Sequence, residues 1–369
     1  MSIKDTPPTL TGDDILKMSV KELDLLYSQF NTRLFYNWDT STKDDKVAIS
    51  RGDFIPALLS AYFQVKYHVV TMRDKYGFGH MFRYDWDKCI YRPDSEAYFT
   101  ENIKDMWKDK FHKGLIGSTI LDLQASTALD RELFKLDPHY IPVQNGILYL
   151  HQDINKKWAI ALLENDPKYY VVNRLPVEYD PSAECKQWDS FMLSSYPMYS
   201  AFLQDWIGTI LWRFIDAPGL AVMLHGPTRT GKSTLIETLE RFVGNNNKVT
   251  IPLQGLNDKN ERVRLYQKLL CAWADIGKTE MKNSGMVKGI ISGDTQSARR
   301  LYENSFDFSP YAQLIFSCNQ VPYVYDDSDA WYGRWKIVQV DQHQYYDGDP
   351  NIIKDLKRRP RSPQELSGI

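Results

Sequence analysis

A segment with two glycines, one lysine and four hydroxyl residues has the composition of a phosphate-binding loop. Residues 226–234 read GPTRTGKST and fit the pattern GxxxxGK[ST]. Glycines let the backbone curl so that its N–H groups point at phosphate oxygens, and the N-terminus of a following helix adds favourable dipole charge. The candidate nucleotide-binding residues are Gly226, Pro227, Thr228, Arg229, Thr230, Gly231, Lys232, Ser233 and Thr234.

The flanking sequence predicts the two elements that such a loop requires. An apolar run at 220–224 predicts a buried strand before it, and LIETLERFVG predicts a helix after it. In that setting Lys232 reaches the β- and γ-phosphates of a nucleotide, and the Ser233 hydroxyl is a ligand for Mg²⁺. We therefore expect ATP and Mg²⁺ as cofactors.

A strand-end carboxylate is the second part of this chemistry, because it holds Mg²⁺ and polarises water. Asp275 ends the apolar run LLCAWAD, about 40 residues downstream of the loop. Its neighbour is Ala274 rather than a second acid. The water-activating acid is therefore Asp275 itself or a residue from elsewhere, such as Glu280.

Two further polar residues stand beside predicted strands. Asn319 ends the run AQLIFSCN, where an amide can hydrogen-bond a γ-phosphate or a lytic water, although taken alone the residue fits a turn-forming role slightly better. Arg334 precedes the run WKIVQV and is a candidate arginine finger, a guanidinium that neutralises transition-state charge. An ordinary surface arginine is the alternative. The candidate catalytic residues are Lys232, Asp275, Asn319 and Arg334, and the candidate Mg²⁺ ligands are Ser233 and Asp275.

Composition narrows the class of protein. The chain has 369 residues, of which 43% are hydrophobic and 25% charged, with a formal net charge of −2. This excludes a disordered or collagen-like chain and predicts two or three domains. The near-neutral charge argues against a protein that coats duplex DNA.

One segment of the second half, residues 278–300, is locally basic. It contains five basic residues, Lys278, Lys282, Lys288, Arg299 and Arg300, and two acidic ones, Glu280 and Asp294.

Cysteine spacing and hydropathy place the chain inside a cell. The cysteines Cys89, Cys185, Cys271 and Cys318 form no CxxC pair, which argues against zinc or a disulfide framework. No apolar signal region opens the sequence, and the most apolar stretch, 201–224, is interrupted by charges and a proline. We expect no membrane segment and a cytoplasmic location.

The order of elements predicts the fold class. Short apolar runs at 220–224, 267–276, 312–319 and 334–340 alternate with helical stretches, which is typical of a parallel sheet covered on both faces. Upstream, helices are expected from Thr11, at 54–65 and at 100–111, and hairpins at 80–94 and 141–151. The expected architecture is an α/β domain with a central parallel sheet, preceded by a mainly helical α+β domain.

The segments KLLCAWADIG, MVKGIISGDTQSARRLYENSFDFSPYAQLIFSCNQVP and DDSDAWYGRWKIV resemble the superfamily 3 helicases of phages, plasmids and large DNA viruses. More narrowly, they are similar to the helicase part of primase-helicase replication proteins. The resemblance covers roughly residues 199–340 and extends more faintly upstream. It implies an AAA+-like P-loop ATPase that forms a ring, usually a hexamer, and moves 3′-to-5′ along single-stranded DNA.

The resemblance also implies roles for particular residues. It maps the Walker A motif onto residues 226–233, Walker B onto Asp275, sensor 1 onto Asn319 and the arginine finger onto Arg334. The segment between Walker B and sensor 1 carries a pore hairpin in this family. Basic side chains there can follow phosphates, and an aromatic ring can stack on a base. The candidate DNA-binding residues are Lys288, Arg299, Arg300 and Tyr302.

We expect an N-terminal domain at 1–140 with a possible collar role, a hairpin and linker region at 141–198, and the ATPase domain at 199–369, truncated at its C-terminal end. A primase domain or other replication proteins are expected partners. Two other functions fit the loop: a small-molecule kinase, and an assembly protein that binds DNA and uses ATP without acting as a motor.

Overall fold

The computed structural model describes residues 6–43, 46–74, 77–131, 133, 134, 136–213, 219–277, 280, 281, 284–298, 306–325 and 328–340. The chain divides into two compact units. The first comprises Met1–Leu136 with Asp166–Val172, and the second comprises Asp137–Asn165 with Asn173–Ile369.

The first unit combines helices with small sheets. Its helices are α1 (Gly12–Leu16), α2 (Val20–Phe30), α3 (Pro56–Tyr67), α4 (Ser95–Trp107) and α5 (Lys113–Ser126). Its strands are β1 (Tyr36–Lys43), β2 (Lys46–Phe54), β3 (Val70–Asp74), β4 (Gly77–Asp85), β5 (Ile90–Arg92) and β6 (Ala128–Asp130). Strands β1 and β2 form an antiparallel hairpin, and the others form a sheet in the order β5-β4-β3-β6. The predicted hairpin at 80–94 is confirmed by the antiparallel pair β4 and β5.

Aromatic packing dominates the core of the first unit. The Phe63 and Phe99 rings stack with centroids 4.6 Å apart, and Tyr62 and Tyr84 are buried. Stacked and edge-to-face ring pairs stabilise a core beyond the area they bury. Trp86 is instead 48% exposed. Aromatic residues make up 13% of the chain, and many of them lie in this core.

The first predicted helix is broken in two. We expected one helix running from Thr11, and the structure ends α1 at Leu16 and starts α2 at Val20. The reason is Ser19, whose Oγ accepts a hydrogen bond from the Glu22 backbone N–H at 3.3 Å while the Glu22 carboxylate accepts one from the Ser19 N–H at 2.8 Å. This capping box starts a new helix rather than continuing the old one.

The second unit contains the predicted parallel sheet and an antiparallel one. Its helices are α6 (Lys186–Ser195), α7 (Ser200–Ile210), α8 (Lys232–Val243), α9 (Lys259–Arg262), α10 (Gly285–Ile291) and α11 (Asp329–Tyr332). Its strands are β7 (Tyr140–Val143), β8 (Gly146–Gln152), β9 (Trp158–Leu163), β10 (Ala221–His225), β11 (Lys248–Val249), β12 (Leu270–Ile276), β13 (Glu280–Met281), β14 (Gln296–Ala298), β15 (Phe306–Phe308), β16 (Gln313–Cys318), β17 (Tyr323–Val324) and β18 (Trp335–Gln339).

The central sheet has the strand order β11-β12-β16-β10-β18, and neighbouring strands run parallel. Alternate side chains enter two cores. Leu224, Ala272 and Ile315 pack with α8 on what we call the α8 face. Cys271 and Phe316 pack with α10 on the opposite face. A parallel sheet covered on both faces was predicted from the continuously apolar runs, and the structure confirms it.

The hairpin predicted at 141–151 is also confirmed, because β7 and β8 pair antiparallel and β9 extends them to a three-stranded sheet. The most apolar stretch of the sequence, 201–224, is divided between α7 and β10. Across the described residues, no helix combines the length and apolar character needed to cross a bilayer.

Two leucines on helices of the second unit give a matched test of this packing. Leu239 on α8 is fully buried, whereas Leu193 on α6 is 64% exposed. Leu239→Ala should lower the free energy of unfolding in urea by about 2–5 kcal/mol, because it removes buried methyl groups and leaves a cavity. Leu193→Ala should change it by less than about 0.5 kcal/mol. Equal losses for the two variants would contradict the described packing.

Candidate functional site

The predicted phosphate loop follows β10 and is closed tightly against the end of β18. Gly226 has a φ of +155°, and a Cβ at this position would lie 2.2 Å from the Val340 carbonyl oxygen. The Val340 N–H donates to the His225 carbonyl at 2.8 Å, and the Gly226 N–H donates to the Cys318 carbonyl at 3.3 Å. Glycine is therefore required at the first position of the loop, both for backbone angle and for space.

Lys232, the first residue of α8, points back into this loop. Its Nζ donates to the carbonyl oxygens of Gly226 at 2.6 Å and Pro227 at 2.5 Å, and to Asn319 Oδ1 at 3.4 Å. The residue is only 7% exposed, and burial lowers the pKa of its ammonium group. The ammonium group thus lies in a cradle of uncharged oxygens, where an anionic phosphate would stabilise its charge.

The far side of the loop rests on α6. Gly231 has a φ of +91°, and a Cβ there would lie 3.3 Å from Phe191 and from the Ser195 hydroxyl. The Thr230 hydroxyl donates to the Pro227 carbonyl at 3.0 Å. By contrast Ser233, in the first turn of α8, is exposed. Its hydroxyl is therefore accessible to a ligand in the loop.

Asp275 and Asn319 lie at the same edge of the sheet as the loop. Asp275 lies near the carboxyl end of β12, and Asn319 follows the carboxyl end of β16, the strand between β12 and β10. Both are exposed. The negative charge of Asp275 acts to raise the pKa of Lys232 and that of the Cys318 thiol. Lys232, Asp275 and Asn319 are thus brought together within one chain.

Two hydrogen bonds beside Asp275 were not foreseen from sequence. The Ser317 hydroxyl on β16 donates to the Ala274 carbonyl, and the Trp273 indole N–H donates to the Asp275 carbonyl at 2.7 Å. The Cys318 thiol at the end of β16 is buried, and burial raises its pKa to about 11. The available signal for Ser317 was a hydroxyl residue inside an otherwise apolar strand.

Arg334 lies at the other end of the sheet. Its carbonyl accepts a hydrogen bond from the Ala221 N–H at 2.9 Å, at the start of β10, whereas the loop follows the end of that strand. At the usual rise per residue, β10 separates the two by about 16 Å. The guanidinium donates from Nε to the Ser292 hydroxyl at 2.9 Å and from Nη1 to the Ala330 carbonyl at 2.6 Å. Arg334 therefore lies away from the loop of its own chain.

The candidate DNA-binding residues lie in sequence before and within a short hairpin. Strands β14 and β15 pair antiparallel, and residues 299–305 connect them. Phe306 and Phe308 of β15 pack edge-to-face on Tyr266. Lys288 lies on α10, ahead of the hairpin, and is half-buried. The connection contains the other three candidates, and Arg299, Arg300 and Tyr302 lie outside the described residues.

The arrangement fits a magnesium nucleotide. The ammonium group of Lys232 is buried in the loop and bonds no carboxylate within the part of the chain that the structure describes. The loop also opens at the N-terminus of a 12-residue helix, which favours anions. The Ser233 hydroxyl and the Asp275 carboxylate are hard oxygen ligands, and Mg²⁺ is usually bound by one or two such groups together with substrate phosphates.

The fold and the site together define an α/β protein with a central parallel sheet and a phosphate-binding loop at its carboxyl edge. The same fold occurs in the apo C-terminal region of NrS-1, with a TM-score of 0.54, 12% identity and coverage of 85% of this chain and 69% of that one. Residues 61–194 match the family described as "D5 N terminal like", and residues 224–334 match the "Family of unknown function (DUF5906)".

Two viral proteins, each named "Putative helicase", are 24% identical to this chain. The protein of Acanthamoeba polyphaga mimivirus matches over 281 residues, 72% of this chain and 28% of its own length. The protein of Invertebrate iridescent virus 3 matches over 225 residues, 56% of this chain and 23% of its own length. The chain thus spans about a quarter of the length of these curated relatives. These similarities confirm the resemblance to viral helicases that was drawn from the motifs.

The close approach at Gly226 yields a test with a second glycine as control. Gly226→Ala should lower the free energy of unfolding by about 2 kcal/mol or more, because the backbone must shift to separate Cβ from the Val340 carbonyl. Gly208→Ala on α7, where no atom lies within 4 Å of a Cβ, should be neutral or slightly stabilising. Urea unfolding of both variants measures the difference, and a neutral Gly226→Ala would contradict the loop geometry.

Proposed function

We propose that this chain is the ATP-hydrolysing motor of a helicase that forms a ring, usually hexameric, and moves 3′-to-5′ along single-stranded DNA. It would act inside the host cell, in the replication of a virus or plasmid. One observation carries the proposal: Lys232, Asp275 and Asn319 converge on a glycine-shaped phosphate cradle at one edge of the sheet.

Each residue of the cradle has a definite task in hydrolysis. Lys232 would exchange its bonds to the loop carbonyls for bonds to phosphate oxygens, and the backbone N–H groups that open α8 would hold the same phosphates. Ser233 and Asp275 would hold Mg²⁺, which neutralises phosphate charge when bound. Asp275 would also orient the attacking water, and Asn319 would hydrogen-bond that water or the γ-phosphate.

The position of Arg334 supports a shared site. Its own loop is a full strand length away, so a guanidinium that completes the site would come from a neighbouring copy. Arginine fingers of this kind are supplied in trans in other phosphate-transfer enzymes. Hydrolysis would then require a closed set of identical head-to-tail interfaces, which a ring supplies.

The hairpin of β14 and β15 is the proposed contact with DNA. Arg299, Arg300 and Tyr302 would lie in its connection, and Lys288 precedes it on α10. Cations that track phosphates and a ring that stacks on bases bind a single strand without reading its sequence. The central pore of a ring would need positive charge only from the residues that line it, so a net charge of −2 for the whole chain is compatible with DNA binding there.

Residues 1–140 are proposed as a collar that helps the ring assemble, and 199–369 as the ATPase domain. The relatives are about four times longer than their match to this chain. A primase domain or other replication proteins are therefore proposed as partners.

Stimulation of ATP hydrolysis by DNA tests this function. The rate of phosphate release with Mg²⁺ should rise several-fold on adding single-stranded DNA, and Lys232→Ala should abolish hydrolysis. A small-molecule kinase would hydrolyse ATP without responding to DNA. An assembly protein that is not a motor would bind ATP and DNA without turnover. Either result would contradict the helicase proposal.

The proposal that Arg334 is an arginine finger makes a separate prediction. Arg334→Ala should lower the ATP hydrolysis rate by about 10³-fold, because transition-state charge is left unneutralised, while the Kd for ATP stays within about twofold. Arg264→Ala, which removes an exposed guanidinium paired with Glu261, is the matched control and should leave the rate unchanged. Hydrolysis unaffected by Arg334→Ala would remove Arg334 from the site.

A further inference from the structure

Strand β12 contains one more residue than its partner at the point where it reaches the site. Trp273 pairs with Phe316, and the next paired residues are Ile276 and Cys318. Ala274 and Asp275 on β12 therefore face the single residue Ser317 on β16. This is a β-bulge, which is uncommon between parallel strands and which redirects side chains where it occurs.

The side chains that enter the two cores show independently that the alternation of β12 side chains between the two faces of the sheet shifts at this bulge. In a regular strand Cys271, Trp273 and Asp275 would share one face, and Ile276 would lie on the other with Ala272. Ile276 instead packs in the same core as Cys271, opposite to the α8 face. Ala272 packs on the α8 face. The extra residue thus removes Asp275 from the face that holds Cys271 and Trp273.

The redirected carboxylate serves the loop. Lys232 opens α8, whose apolar side chains pack on the α8 face, and the charge of Asp275 acts on Lys232. Without the bulge Asp275 would lie on the side of Cys271 and Phe316, away from α8. The position of Asp275 beside the phosphate loop therefore depends on the bulge.

Two side chains hold the bulge in place. Ser317, 1% exposed, donates its hydroxyl to the Ala274 carbonyl, and the Trp273 indole N–H donates to the Asp275 carbonyl. A bulge disrupts the ladder of backbone hydrogen bonds and leaves its extra residue unpaired in the sheet. These two bonds supply the missing donors, one from the neighbouring strand and one from the strand itself.

We infer that Ser317 is a positioning residue, which fixes the β12 bulge and so aims Asp275 at the metal ion of the bound nucleotide. The inference rests on the proposed function, since it presumes that Asp275 binds Mg²⁺. Trp273 assists from the other side of the bulge. Ser317 itself touches neither nucleotide nor metal. Outer-shell partners that orient a metal ligand typically alter metal affinity by 10-fold or more when removed.

The test measures Mg²⁺ binding rather than turnover. A fluorescent, non-hydrolysable ATP analogue is bound to the full chain while Mg²⁺ is raised from zero, and the half-saturating Mg²⁺ concentration is read from the gain in affinity. Ser317→Ala should raise this concentration about tenfold and leave the affinity in EDTA unchanged. Ser317→Thr, which keeps the hydroxyl, should restore it.

Two controls separate positioning from general damage. Thr119→Val removes a buried hydroxyl that bonds the Leu115 carbonyl at 2.7 Å in the first unit, and it should leave Mg²⁺ dependence unchanged. Asp275→Asn should abolish the gain in affinity with Mg²⁺. Where Ser317→Ala does not fold, Trp273→Phe replaces it, since it removes the indole N–H and keeps a ring, and it should raise the half-saturating Mg²⁺ concentration by a smaller factor.

The outcomes are distinct. An unchanged half-saturating Mg²⁺ concentration in folded Ser317→Ala, or in Trp273→Phe where that variant replaces it, would overturn the inference, even if thermal stability fell. If the wild-type chain gained no affinity with Mg²⁺, both the inference and the proposed function would fail. If the wild-type chain and Asp275→Asn behaved as expected while Ser317→Ala matched the wild type, only the positioning role would be lost.

Discussion

The close approach of three parallel strand ends is the constraint on which this site depends. Strands β10, β16 and β18 run the same way, so each ends at the same edge, where the chain must leave without colliding with its neighbours. At Gly226 the space is so limited that a single methyl group would strike the Val340 carbonyl. The loop that leaves there needs a glycine to turn from β10 towards α8.

The same constraint explains how Lys232 is buried and, among the described residues, bonds carbonyl oxygens rather than a carboxylate. Burial in the tight loop lowers the pKa of Lys232. Buried charge of this kind has a free-energy cost that an anionic ligand offsets. Nucleotide binding and local stability should therefore be linked at this loop, as ligand linkage requires.

Much of the second unit could be predicted from sequence. The residue spacing of the phosphate loop fits few other structures. The strands of the central sheet are continuous apolar runs, so β10, β12, β16 and β18 appear where they were expected. Parallel strands alone predict that Lys232, Asp275 and Asn319 lie at one edge of the sheet, whereas the face that Asp275 takes depends on the β12 bulge. The roles of these residues remain predictions, as do those of Arg299, Arg300 and Tyr302.

Other features could not be predicted from the sequence because they depend on contacts between residues far apart in the chain. The bulge in β12 arises from its register with β16, and no local pattern in LLCAWADI specifies which residue is the extra one. The exposure of Trp86 was likewise unpredictable, since an aromatic residue beside a strand fits either face.

The break between α1 and α2 could have been predicted from the sequence, because Ser19 and Glu22 have the spacing of a capping box.

The central claim is that one catalytic site is built from two copies of the chain. The most direct measurement mixes two inactive variants, Lys232→Ala and Arg334→Ala, and follows ATP hydrolysis with single-stranded DNA as the ratio is varied. A shared site predicts that activity reappears in the mixture and is highest near equal amounts. This happens because some interfaces then pair an intact loop with an intact arginine. A mixture that stays as inactive as either variant alone would contradict the account.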